Sequence, residues 1–194
     1  MISVEANDLP PSWEITKLGQ VFKWGAGGTP SASEQSNFGG DIPWAVIGDL
    51  NDGYLDSTAK ALTYKGLTES SAKLVQPGEI LVAMYGSIGK LAIPTVSVST
   101  NQAIAFTRET PDSLSIKYLF YYILSARSDL YELGKGGTQT NISQTVLKAV
   151  PFPLPPTNEQ HRIVAKIEEL FSELDDSVAN LEAARARLQT YRQS

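Results

Sequence analysis

A chain of 194 residues with 42% hydrophobic content can hold one globular domain with an appendage, or two small domains. It has no cysteine and a single histidine, His161, which excludes a disulfide framework, a thiolate metal site and a His-rich one. The net charge is −5, with fourteen acids and eleven bases before residue 157 and seven acids and five bases from there on, so any binding to nucleic acid must come from a local patch.

The opening MISVEANDLPPSWEI has no basic start and no apolar segment, and no later run approaches the ~18 apolar residues of a membrane span. The expectation is a soluble, cytoplasmic protein without membrane contact. Residues 1–156 read as α/β in short, glycine-punctuated pieces. Strands are predicted at ITKLGQVFK, IPWAVIG, EILVAMY, KLAIPTV, QAIAFTR and AVPFPL.

Between the third and fourth of these lies Met84-Tyr85-Gly86-Ser87-Ile88-Gly89-Lys90, which looks at first like a phosphate-binding loop. That pattern needs a glycine five places before the Gly-Lys pair and a Ser or Thr after it. Here those positions hold Met84 and Leu91, and LAIPTV continues as a strand, leaving no helix N-terminus to hold a phosphate. The loop reads as a hairpin with glycines where positive φ is needed. A short Gly/Ser turn with one lysine can still approach a polyanion closely, so Ser87 and Lys90 are candidate contacts.

The stretch SIKYLFYYILSARSDLYELG is strongly helical, with Tyr118, Leu119, Tyr122, Ile123, Leu130 and Leu133 at helical spacing and Gly134 as the stop. Its tyrosines would suit base stacking, but the spacing favours core and rim. GKGGTQTNIS follows (residues 134–143), placing Lys135, Thr138, Gln139, Thr140, Asn141 and Ser143 around three glycines. Gln and Asn can bond adenine in pairs, Lys can reach guanine or phosphate, and Ser or Thr suits either. The alternative is a polar loop in which Asn141 or Ser143 caps a short helix over ISQTVLK. Residue types alone leave both open.

Pro151, Pro153, Pro155 and Pro156 enforce an extended connector. Thr157-Asn158-Glu159-Gln160 then reads as a capping box. From there to the end there is neither Gly nor Pro, so one helix can run through. With Val164 as position a of a heptad, the a series continues through Phe171, Val178, Arg185 and Arg192, and the d series is Ile167, Leu174, Leu181 and Leu188. This is a coiled-coil seam; a helix of ~54 Å is too long to hide on its own domain, so a partner helix is favoured. No nucleophile elbow, metal-ligand cluster, nuclease-type carboxylate group or amino-methyltransferase motif can be assembled, and His161 reads as a solvated surface residue.

Taken in order, PSWEITKLGQVFKWGAGGTP, IPWAVIGDL, GEILVAMYGSIGKLAI, STNQAIAF, GGTQTNIS and PFPLPPTNEQHRIVAKIEELFSELD resemble the specificity (S) subunit of type I restriction–modification systems, over one half of such a subunit. The resemblance implies a target-recognition domain at 1–155 and a conserved-region helix at 156–194. It implies a non-catalytic subunit that reads one half of a bipartite site in double-stranded DNA. Its helix would pair antiparallel with a second S half or with itself and dock methyltransferase subunits, with restriction subunits joining for cleavage. S-adenosylmethionine for adenine-N6 methylation would belong to the methyltransferase partner, and ATP and Mg to the restriction partner, with no cofactor in this chain. Having one unit, the chain reads as an N-terminal fragment or a natural half-subunit. The alternatives are the recognition fragment of a fused restriction–methylation enzyme and a structural coiled-coil module.

Overall fold

Ile80, Val82 and Met84 bury on one face of the strand Leu81–Ala83 and its flanks, while Leu81 and Ala83 bury on the other. Burial on both faces is why EILVAM is a continuous apolar run instead of an alternating one. Around this strand a computed structural model, which describes residues 9–135 and 140–193, arranges eleven strands, six α-helices and two short 3-10 turns.

The chain begins with β1 (Glu14–Lys17), α1 (Leu18–Val21) and β2 (Lys23–Ala26). It continues through β3 (Phe38–Ala45), β4 (Gly53–Leu55), β5 (Ala61–Leu62), α2 (Tyr64–Thr68), β6 (Leu74–Val75), β7 (Leu81–Ala83), β8 (Leu91–Pro94), β9 (Val98–Thr100) and β10 (Ile104–Arg108). Helices α3 (Ile116–Ser125), α4 (Arg127–Leu133) and α5 (Gln144–Ala149) lead to β11 (Pro151–Leu154) and the long α6 (Thr157–Gln193). A five-stranded sheet has the order β2-β10-β7-β8-β4, a four-stranded one β5-β3-β9-β6, and β1 pairs only with β11. The expected α/β domain followed by a long helix is what forms.

The larger core lies between the five-stranded sheet and α3, α4 and α5, centred on Leu18, Phe152, Leu119, Ile123 and Leu130. A second, on the sheet's other face, joins Leu50, Leu55, Val98, Ile104 and Phe106. Tyr118 and Tyr122 belong to the first core and donate their hydroxyls to the carbonyls of Pro153 and Pro151. Burial, with a small push from Asp129, raises the Tyr122 phenol to about 12, which keeps it a donor. The expectation of core and rim over a stacking platform holds for these two residues.

Several boundaries differ from the sequence reading. ITKLGQVFK is not one strand, because β1 and β2 belong to different sheets and α1 turns the chain between them, pinned by the Trp24 indole N–H on the Leu18 carbonyl at 3.1 Å. The 115–134 helix breaks at Ala126 (φ −85°, ψ 0°), and Gly134 ends it with φ −83° and not in the left-handed region. A Cβ there would sit 2.4 Å from Cδ1 of Ile88, so a larger residue would have to push that side chain aside.

The capping box at Thr157 does not form. The Thr157 hydroxyl donates to the Ser113 carbonyl at 2.9 Å, and the Gln160 amide accepts from Ser115 N–H at 2.8 Å and donates to Pro155 O at 3.0 Å. Partners from the α3 region win over the local cap. Val164 is likewise 7% exposed and part of the domain core, so it does not belong to an intermolecular seam. Beyond it the reading changes sign: Leu174 is 56%, Leu181 70% and Leu188 65% exposed, an apolar row with nothing against it among the described residues.

Candidate nucleic-acid interface

The loop between β7 and β8 is built by its glycines. Gly86 (φ 61°) and Gly89 (φ 77°) occupy the left-handed region that side chains disfavour. They let Gly89 N–H reach the Ala83 carbonyl at 3.0 Å and Lys90 N–H reach Ser87 O at 3.0 Å. Ile88 turns inward and is buried, so Ser87 is left exposed and Lys90 half-exposed. The expected hairpin is what forms, and no helix follows Lys90.

This loop is not alone at its end of the sheet. Tyr85 bridges to Asn141, Gly86 N–H donates to Thr140 O at 3.1 Å, and Ile142 N–H donates to Met84 O at 2.9 Å. The two segments singled out from the sequence are therefore neighbours, joined by backbone hydrogen bonds. Asn141 keeps its side chain on the surface. Ser143 caps α5, its hydroxyl oxygen accepting from Val146 N–H at 3.2 Å, so one of its lone pairs has a structural duty while its hydrogen stays free to donate. Lys135 pairs with Glu132 at 2.5 Å and lies 5.3 Å from the Tyr131 ring centroid. The pair is exposed and therefore weak, so a phosphate can displace it. Thr138 and Gln139 lie outside the described residues.

Sequence reasoning missed the ion pair that anchors this assembly. The Arg127 guanidinium holds both Asp52 carboxylate oxygens, at 3.0 and 2.5 Å, and its Nε–H donates to the Gly89 carbonyl at 3.0 Å. Asp52 (φ 59°) also accepts from Leu91 N–H at 3.0 Å. Asp52, Ser87, Lys90, Arg127 and Tyr131 thereby line one cleft of about 670 Å³. The Asn51-Asp52-Gly53 run carries a turn signal; nothing in the sequence marks Arg127 as its partner 75 residues away.

Burial alone would raise the Asp52 carboxyl. The hydrogen bonds from Arg127 and Leu91 and the charges of Arg127 and Lys90 outweigh it and hold the group below its ordinary 3.8. A depressed carboxylate stabilises the fold above its unfolded-state value, and that contribution is lost as pH falls through the folded one. Urea unfolding of Asp52→Asn is therefore expected to show a loss of about 1 kcal/mol at neutral pH and a shallower decline than wild type below pH 3.8. Equal declines in the two proteins would remove this role from the pair.

Among the described residues no three His, Cys, Asp or Glu side chains are placed to hold a metal, and no helix is long and apolar enough to cross a membrane. The family described as "Type I restriction modification DNA specificity domain" matches residues 10–183. The type I restriction enzyme MjaIX specificity subunit of Methanocaldococcus jannaschii is 29% identical over 178 residues, covering 89% of this chain and 40% of that subunit. The EcoR124I/EcoR124II specificity subunit of Escherichia coli is 29% identical over 171 residues, covering 85% of this chain and 42% of its own. The chain thus spans about two fifths of the length of these relatives. Among solved structures, a chain from work on complex assembly and conformational transition of the type I R-M system superposes with a TM-score of 0.73 at 28% identity, over 93% of this chain and 44% of that one. The HsdS subunit from Thermoanaerobacter tengcongensis shares the fold, with a TM-score of 0.70 at 23% identity over 87% of this chain and 40% of its own.

Proposed function

The chain belongs to the family of type I restriction modification DNA specificity domains, and on that premise we propose that it is a non-catalytic reader of double-stranded DNA. Residues 1–155 form the target-recognition domain, and 156–194 form the helix that pairs with a second half or a second copy. In this reading the domain recognises one half of a bipartite site. Methyltransferase subunits that carry S-adenosylmethionine dock on the chain, and restriction subunits bring ATP and Mg. The observation that carries the proposal is the pairing of the 84–90 loop with 140–142. It gathers Ser87, Lys90 and Asn141 into one exposed edge with Lys135 close by, the mixture of amide, hydroxyl and cation that base edges and phosphates require. Thr138 and Gln139 join the proposal on residue type alone, and Ser143 as a donor.

Selection from a pool of random duplexes tests this. One preferred sequence is expected, and the same sequence should appear when adenine methylation is mapped in cells carrying this chain with its methyltransferase partner. Recovery of duplexes with no shared sequence, together with methylation that does not depend on this chain, would sink the reading. Asn141→Ala is expected to lose about 1–3 kcal/mol of discrimination at one position of the selected site. Lys135→Ala is expected to weaken all sequences alike and flatten the salt dependence. Unchanged selectivity in Asn141→Ala would make that residue's contact structural.

A further inference from the structure

Three cations meet at the other end of the five-stranded sheet. Lys23 and Arg108 stand directly opposite each other across the β2–β10 ladder, so their side chains leave the same face. Lys148 of α5 lines the same shallow cleft of about 390 Å³. Gly19 makes this convergence possible: a Cβ there would lie 2.7 Å from the Cβ of Lys148, so only glycine lets α1 and α5 close together. A single acid, Glu109, lines the cleft and bonds Lys23 at 2.5 Å. Arg108 and Lys148 have no ion-pair partner among the described residues.

This arrangement has a cost, because like charges directly opposite in a ladder destabilise it. A lysine on the edge strand β2 would by itself discourage edge-to-edge aggregation. That duty requires neither an arginine facing it nor a lysine brought in by a helix. A chain of net charge −5 that concentrates an excess of two positive charges in one cleft offers an anion a local attraction.

The cleft's distance from the proposed reading edge suits the backbone of a duplex. Met84 N–H donates to the Ala103 carbonyl at one end of β10, and Arg108 closes the other. Five residues at 3.4 Å put the cleft about 17 Å from that edge, or about five base steps of a duplex. We propose that the Lys23–Arg108–Lys148 cleft binds the phosphodiester backbone of the same duplex, flanking the bases read by the 84–90 and 140–143 segments. The inference rests on the DNA-reading function proposed above.

The test compares wild type, R108Q/K148Q, the charge-keeping R108K/K148R and the remote control K73Q, on the duplex that wild type selects, from about 50 to about 200 mM salt. R108Q/K148Q is expected to keep the selected sequence while the slope of log affinity on log salt becomes shallower by about 2, at ~0.9 per phosphate. R108K/K148R and K73Q should retain the wild-type slope. The unfolding temperature of R108Q/K148Q should stay close to that of wild type, since the like charge facing Lys23 and the attraction to Glu109 are lost together. A wild-type slope in R108Q/K148Q overturns the proposal and would leave the cleft to an acidic protein surface. An equal change in K73Q overturns it as well, by showing a generic charge effect. Failure of wild type to select any sequence overturns the reading function and this inference with it.

Discussion

Replacing Leu174 and Leu181 together by lysine is expected to leave the chain monomeric at tens of micromolar, where light scattering should find wild type dimeric. Both side chains lie more than half exposed on a helix that has already left its domain. A leucine moved from water into a seam contributes about 1.5–3 kcal/mol, and a two-fold dimer counts each one twice. The four leucines involved are then worth roughly 6–12 kcal/mol; lysines forfeit that and bury charge as well. The seam residues suit an antiparallel pair, in which Phe171 would face Leu188 and Val178 would face Leu181 of the other copy. That register places the two-fold near residue 180. The two Val164 roots then stand about 48 Å apart, which limits an inverted-repeat site to half-sites about fourteen base steps apart. A wild-type monomer at tens of micromolar, or a double variant that still dimerises, would defeat the pairing proposal.

Phe152→Ala is expected to cost about 3–5 kcal/mol, a large share of the 5–15 typical of a domain. The ring is 1% exposed and packs on Phe22, Tyr118 and Tyr122 at centroid distances of 5.7, 5.6 and 5.1 Å. It sits on β11, which ties β1 to the start of α6, so its loss loosens three parts of the fold together. Tyr121→Ala, at the rim where its ring meets Phe171 at 6.1 Å, should cost far less. A urea-denaturation loss below about 1 kcal/mol in Phe152→Ala would contradict the packing described.

What was legible in the sequence was local. The Gly86–Gly89 hairpin could be read because positive φ demands glycine between two apolar runs, and the exposed row of α6 because a heptad survives without Gly or Pro. β5 and β6 escaped because two residues carry no periodicity. The Asp52–Arg127 pair and the Lys23–Arg108–Lys148 cleft escaped because they join residues brought near only by the tertiary fold. Thr157 and Gln160 misled for a related reason: a local cap was available on paper, but buried backbone groups at Ser113, Ser115 and Pro155 claimed the same side chains. Val164 fitted the heptad and yet is spent on the domain's own core.

The root of α6 has no hinge. Gln160 is buried and clamps Ser115 to Pro155, Thr157 holds Ser113, and two turns further on Lys117 meets Glu168 at 2.6 Å. A rod fixed in this way is a lever. From Phe171 onward about 33 Å of it projects, so a tilt of about 10° at the root would swing the tip by about 6 Å, nearly two base steps. The accuracy with which a distant second reader is aimed is therefore set by four side chains at the socket, and wear there would blur spacing before it blurred sequence.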